Sequence, residues 1–122
     1  MKTLTILCSL GLAISSAFAD DALSAAKSAS DKLFAALAND DYAAFIADGD
    51  AAFKLLAKEK FESVVLQLGP RFKSGFEVTY LGELKQKGYA VTLWKITFKD
   101  DGDDLLGTLS LKDGKVGGFW VK

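Results

Sequence analysis

The spacing of apolar residues changes near Gly75, and this change organises the chain. Before Gly75 the apolar residues recur every three or four positions, as in amphipathic helices; after it they alternate at every second position, as in strands. The short connections between the strands require neighbouring strands to run antiparallel. The pattern therefore predicts an α+β domain in which three N-terminal helices pack on one side of a curved, antiparallel four-stranded meander.

The first predicted helix carries an apolar stripe. Asp20 or Asp21 is placed to cap its start, and Asn39 is placed to end it. The residues of the stripe are Leu23, Ala26, Ser30, Leu33, Phe34 and Leu37. A second, short helix is predicted after Asp40 or Asp41, with one apolar face made by Tyr42, Phe45 and Ile46.

The region after Asp48-Gly49-Asp50, which breaks the second helix, carries a mixed pattern. Residues 51–56 suit either a brief strand or the approach to another helix, and the pattern slightly favours the strand. From Lys58 onward the third helix is predicted from a clear stripe of Phe61, Val64, Val65 and Leu68. Gly69-Pro70 is expected to end it, although residues 71–73 would fit one more turn.

The second half predicts strands joined by tight turns, over residues 76–84, 89–98, 105–112 and 116–121. Asp113-Gly114 is a strong signal for a two-residue hairpin turn. Gly107, Gly117 and Gly118 lie inside strand-like segments, where glycine often marks a bulge or sharp bend.

Residues 1–19 have the anatomy of a secretory signal peptide. Lys2 precedes a short apolar stretch, and Ala17 and Ala19 provide the small residues that signal peptidase requires. Cleavage after Ala19 would leave residues 20–122 as a single exported domain, periplasmic or secreted, with no stable membrane anchor. The sole cysteine, Cys8, would be removed, so that the exported domain would have no disulfide and no thiolate chemistry.

The composition and charge of the chain limit the classes of binding partner that are expected. Half of the residues are apolar, and the formal net charge of −1 comes from interspersed acidic and basic residues. Without a basic stripe, nucleic acid and anionic membranes are not expected as partners. The acidic cluster at residues 100–104 is interpreted as a solvated turn, with a calcium site as the less favoured alternative.

The order of elements resembles the nuclear transport factor 2-like superfamily, also called the cystatin-like cone. In that fold a strongly bent sheet wraps helices around an apolar cavity. The segment 53–61, followed by Leu68-Gly69 and by Phe72-Lys73-Ser74, looks like a family of small secreted bacterial domains without an assigned function. Some enzymes of the superfamily place an aspartate or histidine base inside the cone, but this chain has no histidine. The resemblance is thus informative about fold and nearly silent about chemistry.

Two functional hypotheses follow. The preferred one is an exported, non-enzymatic binding or interaction domain that requires no cofactor and no metal ion. The alternative is a small enzyme that uses Asp41, Tyr42 or Glu77 as acid or base. Alternation along the first strand places Glu77 on the solvated face, which disfavours the enzyme.

The aromatic residues are interpreted mainly as core, with a ligand pocket as the second interpretation. The aromatic residues considered are Phe53, Phe72, Trp94, Phe98, Phe119 and Trp120. The resemblance to the cone fold implies that a small apolar ligand would contact a wall formed by Trp94, Ile96 and Phe98 with Tyr42 or Phe61. The opposite strand face, with Tyr89, Val91 and Leu93, would then need cover, which a homodimer through the sheet would supply.

Overall fold

The computed structural model describes residues 23–122, which form helices followed by one antiparallel sheet. The helices are α1 (residues 23–39), α2 (Tyr42–Ile46), a short 3₁₀ helix (Phe53–Leu55) and α3 (Lys58–Ser74). The strands are β1 (Phe76–Gln86), β2 (Tyr89–Phe98), β3 (Leu105–Lys112) and β4 (Lys115–Val121), paired in chain order. The predicted α+β class with its meander is confirmed. The predicted signal peptide and the caps at Asp20 or Asp21 lie outside the described residues.

Helices α1 and α2 follow their predicted stripes, except that Leu23 at the start of α1 is exposed. Along α1, Ser30 and Phe34 are fully buried, and the Ser30 hydroxyl donates to the Lys27 carbonyl at 2.9 Å, so burial leaves it satisfied. Asp40 takes a left-handed φ of 54°, which ends α1. The Asp41 carboxylate then accepts a hydrogen bond from the Ala44 N–H at 3.1 Å, and this cap starts α2.

The strand predicted over residues 51–56 is wrong. This region is a turn followed by the 3₁₀ helix, because Asp50 binds it locally: its carboxylate accepts from the Phe53 N–H at 2.8 Å and its carbonyl accepts from the Lys54 N–H at 3.0 Å. Aspartate commonly competes with extended structure in this way. Residues 48–50 instead flank β4, where Gly49 and Val116 form an isolated parallel bridge.

The helix stop predicted at Gly69-Pro70 is also wrong, because α3 continues through Pro70 to Ser74. Proline removes the hydrogen bond to the Leu66 carbonyl, but Pro70 and Leu66 are both exposed, so water can satisfy that carbonyl. The additional turn buries Phe72, whose ring stacks on Phe34 at 5.6 Å between centroids. Burial of a whole aromatic side chain offsets the cost of the proline. Gly75, with φ of 113°, then ends the helix.

The core lies between the helices and one face of the sheet. Phe34 is its centre, with ring contacts to Phe72, Phe76 and Phe119 at centroid distances of 5.4 to 5.8 Å. From Trp94 to Phe98 the alternation along β2 is as predicted: Trp94, Ile96 and Phe98 are buried, and the residues between them are exposed. These contacts join α1 to α3 and to both edges of the sheet.

Tight turns and two bulges shape the sheet. Lys87-Gly88 and Asp113-Gly114 have positive φ at both positions, as two-residue hairpin turns require. The register shifts at Leu81 in β1 and at Gly117 in β4, so that each is an extra residue in its strand. The predicted bulge at Gly117 is confirmed. Gly107 has a different role: it leaves room for Phe34 and Ile96, which would lie 3.3 Å from a Cβ there.

Candidate functional site

Two of the predicted pocket residues, Ile96 and Phe98, belong to the filled core. Ile96 is fully buried, and Phe98 is 5% exposed with its ring against Phe72 at 5.1 Å. The Arg71 guanidinium also lies over the Phe98 ring, 4.1 Å from its centroid. Both side chains therefore have close protein neighbours on their inner face.

Trp94 is likewise enclosed, but away from that core cluster. Its indole Nε1 donates to the Thr92 hydroxyl at 2.8 Å, and its ring meets the edge of Tyr80 at 5.3 Å. The polar atom of this buried tryptophan is thus satisfied within the strand pair β1–β2. Trp94 therefore stabilises the pairing of β1 with β2.

Tyr42 and Phe61 lie together, with ring centroids 5.7 Å apart. The Tyr42 hydroxyl donates to the Leu56 carbonyl, which fastens α2 to the end of the 3₁₀ helix. Of the residues predicted to form a pocket, Phe61 lines the groove described next, and Tyr42, Trp94, Ile96 and Phe98 do not.

An apolar groove lies between strand β4 and helix α3, and we call it the β4–α3 groove. Its volume is about 320 Å³, at the lower end of the range typical of ligand pockets. Nine apolar side chains and Lys60 line it. The lining residues are Leu37, Phe45, Phe53, Leu56, Lys60, Phe61, Val64, Phe119, Trp120 and Val121.

Each wall of the groove is built by a rigid element. Val64 follows Lys60 by one helical turn on α3, and it is 39% exposed although apolar. On the opposite wall, Phe119 packs against Phe34 and Phe45 at 5.4 and 6.0 Å, which holds β4 over the core. The 3₁₀ helix closes one end through Phe53, whose ring lies 5.5 Å from Phe45.

Strand β4 is an edge of the sheet, and part of its backbone is free. Leu106 and Lys122 exchange two hydrogen bonds, at 2.7 and 3.0 Å. Hydrogen-bonded and non-hydrogen-bonded pairs alternate along an antiparallel ladder. The N–H and C=O groups of Phe119 and Val121 therefore point away from β3, outward from the edge of the sheet. At the other end of β4, Val116 is covered: its N–H donates to the Asp48 carbonyl and its C=O accepts from the Asp50 N–H.

Trp120 sits at the junction of three concavities. It lines the β4–α3 groove, a neighbouring concavity of about 410 Å³ beside the 3₁₀ helix, and one of about 600 Å³ on the outer face of the sheet. Its side chain is 57% exposed, and its ring lies over Gly118. The interpretation of Trp120 as a core residue is therefore wrong. The outer concavity also includes Tyr89, whose ring covers Gly117.

Two of the three residues proposed for acid–base chemistry, Asp41 and Tyr42, have structural roles. The Asp41 carboxylate caps α2, and the Tyr42 hydroxyl is bound to the Leu56 carbonyl. Glu77 is exposed on the outer face of β1, opposite Thr97. Asp41 and Tyr42 line one shallow concavity, but each is already held in a structural hydrogen bond, and Glu77 lies apart from them on β1.

The acidic cluster at residues 100–104 is a turn, as predicted, held by Arg71. Arg71 Nε donates to the Asp100 carboxylate at 2.9 Å, and Arg71 Nη2 donates to the Asp103 carbonyl at 2.6 Å. The hydrogen bond from Arg71, with that from the Gly102 N–H, holds the pKa of Asp100 below its ordinary value. Within residues 23–122, no three histidine, cysteine, aspartate or glutamate side chains are arranged so that they could hold one metal ion.

Comparisons with known proteins add no assignment: no family model matches the chain, and a search of curated proteins found no matching relative. None of the helices within residues 23–122 is long and apolar enough to cross a membrane. The candidate site therefore rests on the geometry of the β4–α3 groove.

Sequence reasoning missed this groove because its walls are distant in the chain. Val64 and Val121 look like ordinary apolar residues of a helix and a strand, and only the packed fold brings them together. One signal was present: the pair Gly117-Gly118 next to Phe119-Trp120 combines space for close approach with large aromatic side chains.

Proposed function

We propose that this protein is an exported, non-enzymatic binding domain that holds an apolar ligand segment in the β4–α3 groove. The observation that supports this most is an apolar groove on rigid elements that stays open to solvent. A concavity of this size, lined almost entirely by apolar side chains with one polar group, is the usual form of a ligand site. The single charged side chain of the groove, Lys60, supplies a polar contact that can orient a ligand.

Export is proposed from the signal-peptide anatomy of residues 1–19. We also propose the cone shape and the relationship to the nuclear transport factor 2-like superfamily, for which the bulges at Leu81 and Gly117 are the supporting features. In this proposal the ligand occupies a lateral groove at the sheet edge, since Ile96 and Phe98 are already packed against protein.

Two other hypotheses receive less support. An enzyme based on Asp41, Tyr42 or Glu77 would need these groups to converge, and each is engaged or exposed elsewhere. A homodimer through the outer sheet face remains a prediction, but Val91 is only 5% exposed within the single chain, which reduces the need for cover.

The test measures binding of the uncharged dye Nile red, whose fluorescence rises in apolar surroundings, to the purified protein. Val64→Glu places a carboxylate in the groove, and Leu66→Glu is the matched control on the same helix, because Leu66 is 81% exposed and does not line the groove. We expect Val64→Glu to weaken dye binding by about tenfold, which corresponds to about 1.4 kcal/mol.

Leu66→Glu should leave dye binding within about twofold of the unchanged protein. Thermal unfolding of both variants checks that they are folded. Absence of dye binding by the unchanged protein, or equal loss in both variants, would refute the proposed groove function.

A further inference from the structure

The free segment of β4 is bordered by binding surface on both sides. Phe119 and Val121 direct their backbone N–H and C=O groups away from β3, and within residues 23–122 these groups meet no further strand. The groove lies on the helix side of this segment, and the concavity with Tyr89 and Trp120 lies on the outer face. One occupant that follows the edge would reach both surfaces.

We propose that β4 accepts an extended, acidic and apolar segment of a partner protein, which adds to the sheet as a further strand beside Phe119 and Val121. This inference rests on the proposed function and names its ligand. Strand addition uses main-chain hydrogen bonds for affinity and alternate side chains for specificity. The bridge between Gly49 and Val116 sets the limit of the added strand, because the edge is already occupied there.

The register of β4 defines the pattern of the partner segment. Successive side chains of a strand point to opposite faces. Partner residues opposite Phe119 and Val121 therefore project into the β4–α3 groove and should be apolar. The residue between them projects to the outer face, beside the exposed indole of Trp120. An aromatic or β-branched side chain suits that position, because such cross-strand neighbours stabilise sheets.

Charge favours an acidic partner over a second copy of this chain. The charged side chains that line the three concavities around Trp120 are Lys60 and Lys87, and no carboxylate from residues 23–122 lines them. A partner with glutamate or aspartate beside its apolar residues would meet opposite charge on both faces. A two-fold pair of β4 strands would instead bring the lysines of both copies to one interface.

The experiment uses a set of blocked synthetic peptides of about eight residues, the length of an ordinary strand. Each has apolar residues at alternate central positions and glutamates at both ends. Three matched peptides are the controls: a scrambled sequence without alternation, a version with lysine in place of glutamate, and a version with N-methylated backbone at the residues that would bond to β4. Calorimetry measures affinity. A change in tryptophan emission is assigned to the exposed Trp120, because Trp94, the other tryptophan, is buried.

Val121→Pro is the decisive variant. Proline at this position removes one outward N–H while the ladder to β3 keeps its hydrogen bonds, since proline is tolerated where the N–H faces away from the sheet. Val121→Ala is its control, because it shortens the side chain and keeps the N–H. We expect Val121→Pro to weaken peptide binding by about tenfold or more and Val121→Ala by no more than about threefold.

The outcomes separate the two proposals. Binding by at least one alternating peptide below about 1 mM, lost on N-methylation and on Val121→Pro, supports strand addition. Nile red binding without any peptide binding overturns strand addition and leaves the groove function standing; loss of both overturns both. Sedimentation that shows a dimer abolished by Val121→Pro overturns the foreign partner in favour of a second copy.

Discussion

Replacement of Pro70 by alanine tests the continuity of helix α3. Proline inside a helix is about 3 kcal/mol less favourable than alanine, and Pro70 lies within α3 on its exposed side. Alanine restores an N–H that can donate to the Leu66 carbonyl. It also makes the unfolded chain more flexible, which costs about 0.4–1 kcal/mol. The net expectation is that Pro70→Ala stabilises the fold by about 2 kcal/mol.

Thermal unfolding followed by circular dichroism measures this effect. For a domain of about a hundred residues each kcal/mol shifts Tm by about 4–8 °C, so Tm should rise by about 8–16 °C. Gln67→Ala, another exposed position of α3, is the control and should change stability by less than about 0.5 kcal/mol. If α3 ended at Gly69, Pro70 would lie in a loop and alanine would lower Tm. A lower Tm therefore refutes the continuous helix.

Two further predictions concern the acidic turn and the sheet. The Arg71 hydrogen bond depresses the pKa of Asp100 in the folded state. The ionised Asp100 therefore stabilises the fold fully at pH values above its unfolded pKa near 3.8, and this stabilisation is lost as the pH falls below that value. Urea unfolding measures the difference in stability between the unchanged protein and Asp100→Asn. This difference should be constant from neutral pH to about pH 5 and shrink below about pH 4. A difference that stays constant at all pH values would contradict the stabilising role of the Arg71–Asp100 pair. Gly107→Val should destabilise by about 1–3 kcal/mol in urea, since its side chain would collide with Phe34 and Ile96, whereas Thr108→Val on the opposite face should have little effect; equal effects would contradict the packing described.

The sheet was predictable because its signals are local. Alternation fixes the faces of β2, and Asp113-Gly114 suits the positive φ values that its turn requires. The faces of β2 and the β3–β4 turn could therefore be derived before any tertiary contact is considered. The bulge at Leu81 was not predicted, although Gly82, which follows it within the predicted strand, is the kind of residue that marks a bulge.

The wrong predictions, a helix end at Pro70 and a strand over residues 51–56, lie where other interactions override the local pattern. Pro70 favours a helix end, yet burial of Phe72 against the core sustains the helix beyond it. The local hydrogen bonds of Asp50 convert an apolar run into a 3₁₀ turn. The β4–α3 groove depends on the approach of a helix and a strand that are far apart in the chain, and no local pattern records that approach.

The meander order of the strands has a consequence for folding kinetics. Each strand pairs with its neighbour in the chain, so most pairings close short loops at small entropic cost. The bridge between Gly49 and Val116 and the ring contact between Phe34 and Phe119 join distant parts of the chain. We therefore expect closure of β4 against the helices to be a late step of folding, so that the surface of the groove forms last.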